Sequence, residues 1–297
     1  MKINCSSDAA AGGGKIRNSQ FAIRNFLAFT LIEMLVVIAI LGLLAGLAVP
    51  ALKNLGKSNV NVSAGRQLLD DFGRARQLAM ANRTTVYMVF VPTNFWCTAY
   101  NPGSFNGPWF SSLTQAAQTA ATNLCDKQLT GYTFIGSGTV GDQPGRHTWH
   151  YLASWQNLPE GVFIAQQKFV KQPNQFYTIA DAVSGAAYNI YGFNVTNNIP
   201  FPTETNTAAS TSFNLPYLPY IAFNSSGQLV SGQDEYIPIA RGNVSPAINS
   251  VTKTFVLTGS PSVTEIPAGN STDISYNIVH IDALTGRATM EFHKMLP

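Results

Sequence analysis

From Met34 to Val49 the chain carries an unbroken run of 16 apolar or glycine residues, MLVVIAILGLLAGLAV. No feature constrains the fold more, because so apolar a helix has no polar face to show to water. With the residues leading into it, the segment Phe26–Val49 would span roughly 36 Å as a helix, enough to cross a bilayer core. Basic residues precede it, and Lys53 and Lys57 follow. The distribution of Lys and Arg favours a cytoplasmic N-terminus. Three readings fit the run: a buried core helix, a cleaved secretory signal peptide, and a membrane helix that stays with the mature chain. Glu33 separates them. A carboxylate at membrane depth is costly and needs a partner or a function, whereas a signal peptide has no use for one.

Charge sharpens the division of the chain. The 297 residues hold 18 Lys and Arg against 15 Asp and Glu, a formal net charge of +3. Residues 1–28 hold Lys2, Lys15, Arg17 and Arg24 against Asp8, so the whole excess lies there and the remainder is neutral. Charged residues are only 11% of the chain, well under the roughly 25% of an average soluble domain. Polarity comes instead from Asn, Thr, Ser and Gln. Such a chain lacks the clustered cations a nucleic-acid binder needs, and its 45% hydrophobic content excludes a disordered chain.

Ala28-Phe29-Thr30-Leu31-Ile32-Glu33, followed by MLVVIAILGLLAGLAVPAL, resembles the N-terminus of a type IV pilin or type II secretion pseudopilin. The resemblance implies a cut by prepilin peptidase between Ala28 and Phe29, with methylation of the new Phe29 amine. It places the family's Glu at Glu33 and its helix-bending Pro at Pro50. The residue before the cut is usually Gly in that family; here it is Ala28, the nearest in size. The leader is also long for the family. Pairing Glu33 with the Phe29 amine of a neighbouring subunit would remove two unpaired charges at membrane depth and reward insertion in register. The alternative is that Glu33 snorkels to the headgroups. Gly42 and Gly46 form a G-x-x-x-G pair that allows close helix approach. Pro50 removes one helical hydrogen bond.

Beyond Pro50 the pattern becomes amphipathic up to about Asn82. Val60, Ala64, Leu68, Phe72, Ala75 and Ala79 recur at helical spacing, and Arg66, Asp70, Arg74 and Arg76 read as a solvated face. Gly56, Gly65 and Gly73 weaken the helix locally. After Asn82, short β-prone segments alternate with turn residues. Strands are expected at Thr84–Val91, Tyr132–Ile135, Val162–Val170, Phe176–Ala180, Tyr188–Phe193, Tyr217–Asn224, Tyr236–Arg241, Lys253–Leu257, Tyr276–Ile281 and Arg287–Phe292. Asn224–Gly227 and Ala283–Gly286 read as hairpin turns. Thr98–Gly131, Gly136–Gln156 and Asn194–Pro216 read as loops or insertions.

The body is similar to the GspH/FimT group of minor pseudopilins. The matching pieces are Ala75-Arg76-Gln77-Leu78-Ala79, the strand VYMVF, Leu158–Val162 (LPEGV), Ile221–Gly227 and Thr285-Gly286-Arg287. The expected fold class is α+β and pilin-like, a long N-terminal helix (transmembrane, then amphipathic) packed on an antiparallel β-rich domain. The expected division is a basic leader at 1–28, an assembly helix at 29–50, an amphipathic extension at 51–82 and a β-rich periplasmic domain at 83–297. The implied partners are prepilin peptidase, other pilin subunits, an inner-membrane assembly platform and the lipid bilayer. The implied location is a single pass through the inner membrane, then an extracytoplasmic filament.

Cys5 lies in the leader. Cys97 and Cys125 would lie outside the cytoplasm, where disulfides persist; either they form a bridge or they are two buried thiols. His147-x-x-His150 lacks the spacing of a zinc-protease helix, and no Cys/His cluster has metal-site spacing. Asp234-Glu235 reads as a solvated turn rather than a cation ligand. No nucleophile elbow or phosphate loop appears, so no cofactor, metal or catalytic residue is expected. The alternative function is a binding module in which Trp96, Trp109, Trp149 and Trp155 recognise secreted protein, glycan or DNA. Against it stands ordinary core packing of those rings. A third possibility is a tethered envelope hydrolase, which requires a nucleophile and base converging in a cleft.

Overall fold

The computed structural model describes residues 30–93, 115, 119, 122–138, 149–170, 174–180, 187–195, 198–200, 214–216, 218–256, 260–271 and 277–292. The chain divides into two compact units, Met1–Leu52 and Lys53–Pro297. Helix α1 is assigned to Leu31–Asn82, and the larger unit is α+β with antiparallel sheets.

In the larger unit one face of α1 is wholly buried. Ala64, Leu68, Phe72, Ala75 and Ala79 all have 0% exposure, at the predicted helical spacing, and Val60 packs at their margin. Small residues alternate with Leu68 and Phe72, so the helix axis approaches the sheets closely. Gly65 extends that approach: a Cβ there would lie 2.2 Å from Met290 Cε.

Two sheets meet this face. The first joins β1 (Val86–Phe90), β2 (Gly131–Gly136), β3 (His150–Tyr151), β4 (Gln156–Asn157) and β10 (Tyr220–Phe223), in the order β10-β1-β2-β3 with β4 also on β2. Strand β1 is apolar throughout because both its faces are covered. Val86, Met88 and Phe90 face the core under the helix. Tyr87 and Val89 face a second cluster with Leu124, Cys125, Ile135 and Tyr220. The second sheet joins β5 (Val162–Ile164), β11 (Glu235–Ser245), β12 (Ser262–Glu265), β13 (Asn277–Ile281) and β14 (Ala288–Phe292), in the order β12-β11-β13-β14 with β5 also on β11. Strand β11 changes partner along its length, from β13 and β5 up to Arg241 to β12 from Gly242 onward. Gly242 is required at that crossing: its φ is +150° and a Cβ would lie 1.9 Å from Thr264 O. Two further antiparallel pairs are described, β6 (Phe176–Ala180) with β7 (Ala187–Tyr191), and β8 (Asn198–Pro200) with β9 (Asn214–Pro216).

The two predicted turns form as hairpin turns. Gly227 N–H donates to Asn224 O at 2.9 Å and Gly286 N–H to Asp282 O at 2.8 Å, with φ of +83° and +62° at the two glycines. They pack on each other so closely that a Cβ on Gly286 would lie 1.9 Å from Gly227 O.

Three expectations are corrected. The strand expected over Val162–Val170 stops at Ile164, and Gln166–Val170 is a helical turn, α2. Lys168 and Phe169 of this turn are both buried, and the turn begins as Lys168 N–H donates to Ala165 O at 3.0 Å. The strand expected at Lys253–Leu257 is reduced, within the described residues, to a single bridge between Ile248 and Phe255. There Asn249 Oδ1 accepts the N–H groups of Val251 and Thr252, and Lys253 has a φ of +56°, so the chain turns instead. The stretches read as loops hold short strands: β3 and the start of β4 lie in one, β8 and β9 in another.

Candidate assembly segment

Ala28 and Phe29 lie outside the described residues, as does the leader with Cys5. Thr30 caps α1. Its Oγ1 accepts the Glu33 N–H at 3.2 Å, and its carbonyl accepts the Met34 N–H at 3.2 Å. This sets the helix start at Leu31 and puts Glu33 in the first turn, where a carboxylate complements the helix dipole. Glu33 is exposed. So are Leu31, Ile32, Met34, Leu35, Val36, Val37, Ile38, Ile40, Leu41, Leu43 and Leu44, at 42–84% of their surface. Apolar side chains exposed on every side of one helix exceed what a soluble monomer tolerates. Gly42 and Gly46 leave their side of the helix open, with nothing within 4 Å of an added Cβ. The assigned helix runs unbroken through Pro50. No helix of the described residues is long and apolar enough to cross a membrane.

In the larger unit, Arg76 and Glu235, both expected on solvated surfaces, make specific contacts. Arg76 is not simply solvated. Its Nε donates to Thr285 O at 2.7 Å and to Gly227 O at 3.3 Å, tying the helix to both glycine turns. Glu235 is not part of a solvated turn. It is buried with Lys168, whose side chain is 0% exposed; Lys168 Nζ lies 2.5 Å from Glu235 Oε2 and donates to Tyr191 O at 2.8 Å. The Phe193 ring closes over that ammonium at 4.9 Å. Asp71, on the buried side of α1, accepts from Tyr132 Oη, and Gln67 Nε2 donates to the same hydroxyl at 2.7 Å. Burial pushes the Asp71 carboxyl above its ordinary value, against the Tyr132 hydrogen bond and Arg74. Burial, followed by the Asp71 hydrogen bond, pushes the Tyr132 phenol up. These pairings join residues 61 to 67 positions apart, and no local pattern announces them.

Trp149 and Trp155 pack at the margin of the second cluster, the core role weighed against ligand recognition. Trp96 and Trp109 lie outside the described residues, as do Cys97, His147 and His293. Cys125 sits in a 3₁₀ turn, 5% exposed, in the second cluster. His150 lies on β3. Among the described residues no group of three or more His, Cys, Asp or Glu side chains is placed to hold a metal ion. A cleft of about 140 Å³ is lined, among the described residues, by Val60, Glu160, Gly161, Arg241, Gly242 and Ile266, none of which carries a hydroxyl, thiol or imidazole.

Residues 23–49 match the prokaryotic N-terminal methylation motif, the signature of type IV pilins and pseudopilins. The motif implies processing by prepilin peptidase and assembly with other pilin subunits. Neither curated proteins nor solved structures give a match to the chain.

Proposed function

We propose that the protein is a minor pseudopilin or pilin subunit of the GspH/FimT-like group, in a type II secretion or type IV pilus-like filament. The observation that carries this reading is the methylation motif at residues 23–49, on a helix whose first turns expose apolar side chains and one acid. The helix of residues 29–50 holds the subunit in the inner membrane, with the N-terminus cytoplasmic and the β-rich domain periplasmic. Prepilin peptidase cuts between Ala28 and Phe29, and the Phe29 amine is methylated. Glu33 then meets the Phe29 amine of a neighbouring subunit as the helix leaves the lipid through an inner-membrane assembly platform. Gly42 and Gly46 admit close neighbours, and Pro50 marks the end of the assembly helix. In the periplasm Cys97 and Cys125 form a bridge. The protein's task is structural: it is the substrate of a peptidase and not itself an enzyme.

The test is in vivo cysteine cross-linking between apolar helices, with Glu33→Ala beside the unmodified chain. Loss of cross-linked species with the protein level unchanged supports the reading. Undiminished cross-linking of Glu33→Ala refutes it.

A further inference from the structure

On the outer side of the second sheet one imidazole stands between two carboxylates, one just before β11 and one on β14. His280, on β13, has Nε2 at 3.2 Å from Asp234 Oδ2 and Nδ1 at 3.5 Å from Glu291 Oε1. Asp234 immediately precedes β11, and its other oxygen accepts the Ala283 N–H at 2.8 Å, where β13 leaves for the β14 turn. Glu291 lies on β14. Tyr236 of β11 pairs with His280 across the ladder, and its ring stacks on the imidazole at 4.6 Å and 9°. Tyr188 of β7 packs against Tyr236 at 5.5 Å. Asp282, two residues beyond His280, adds a third nearby carboxylate. Glu235 turns away to Lys168. The Tyr236 phenol is pushed up by burial, then by Asp234 and Glu291, so it brings no charge of its own.

A neutral imidazole has one N–H. It donates to one of the two carboxylates and turns a lone pair toward the other. The imidazolium donates to both, and a cation against the Tyr236 face is attracted to the ring. We propose that His280 is a proton-operated latch: when protonated it ties β13 to the start of β11 through Asp234 and to β14 through Glu291 at once, and when neutral it releases one of the two. The side chains of His280, Asp234 and Glu291 are 21%, 43% and 39% exposed, so protons reach the site without unfolding. The latch lies in the larger unit and does not depend on the filament reading; in an extracytoplasmic compartment it would follow the pH of the medium.

The test is amide hydrogen exchange of the full chain in detergent, read on peptides covering residues 277–292 at pH 8.0 and 5.5 and corrected for intrinsic exchange. Protection of the hairpin should rise about two- to fivefold at the lower pH, as expected of partly exposed ion pairs. His280→Gln should abolish that rise, and Glu291→Gln, a change at a half-exposed edge position, should reduce it. Equal pH dependence in the unmodified chain and Glu291→Gln, or a rise that persists in His280→Gln, would overturn the proposal. Chemical shifts of the His280 ring that do not change between the two pH values would do the same.

Discussion

Replacing Lys168 with Met removes one half of the ion pair at the heart of the larger unit and leaves Glu235 with no cation. The geometry sets the size of the effect. Lys168 is fully buried and Glu235 is 6% exposed, so water cannot solvate the orphaned carboxylate in place. The Tyr191 carbonyl also loses its donor at 2.8 Å. Breaking a buried pair from one side costs about 3–5 kcal/mol, a large fraction of the roughly 5–15 kcal/mol that holds a domain folded. Changing both partners, Lys168→Met with Glu235→Leu, removes both charges together and should return stability to within about 1–2 kcal/mol of the unmodified chain. The assay is denaturant unfolding of the four chains of this double-mutant cycle in detergent, followed by Trp fluorescence. A loss under about 1 kcal/mol for Lys168→Met, or a double variant as unstable as the sum of the singles, would refute the reasoning. Either result would mean that the charges are solvated or independent.

The remaining predictions concern glycines and one buried acid. Gly73→Ala should stabilise the chain by about 0.5–1 kcal/mol, since the added Cβ meets nothing within 4 Å. Gly286→Ala should destabilise it by more than about 1 kcal/mol, because φ is +62° and the Cβ would strike Gly227 O; thermal unfolding checks both signs. Asp71 binds its proton more readily folded than unfolded, so its contribution is fully present below the unfolded value of 3.8 and is lost as pH rises through the raised folded value. Asp71→Asn, which still accepts from Tyr132, should flatten that part of the stability–pH curve. An unchanged curve would show that Asp71 does not sense its burial.

What was legible in the sequence is what repeats or turns locally. The buried face Ala64-Leu68-Phe72-Ala75-Ala79 is visible as a helical period, because one contiguous element buries one stripe. The turns at Gly227 and Gly286 are visible because a positive φ selects glycine. The exposed apolar start of α1 and Glu33 are visible because so apolar a stretch around a single acid has few uses. What stayed hidden depends on partners far along the chain. Arg76 reads as one more helix cation, yet it docks on carbonyls 151 and 209 residues away. Lys168 and Glu235 look like ordinary surface charges until α2 meets β11. Strands β3 and β4 are two residues each, too short to show an alternation.

The central claim is that the mature chain begins at Phe29, with its amine placed to meet Glu33 of another copy. N-terminal mass spectrometry of protein taken from membranes tests it most directly. The account predicts a first residue of N-methylated phenylalanine, the chain starting at position 29. A chain that retains residues 1–28, or one that starts near Val49, would contradict it.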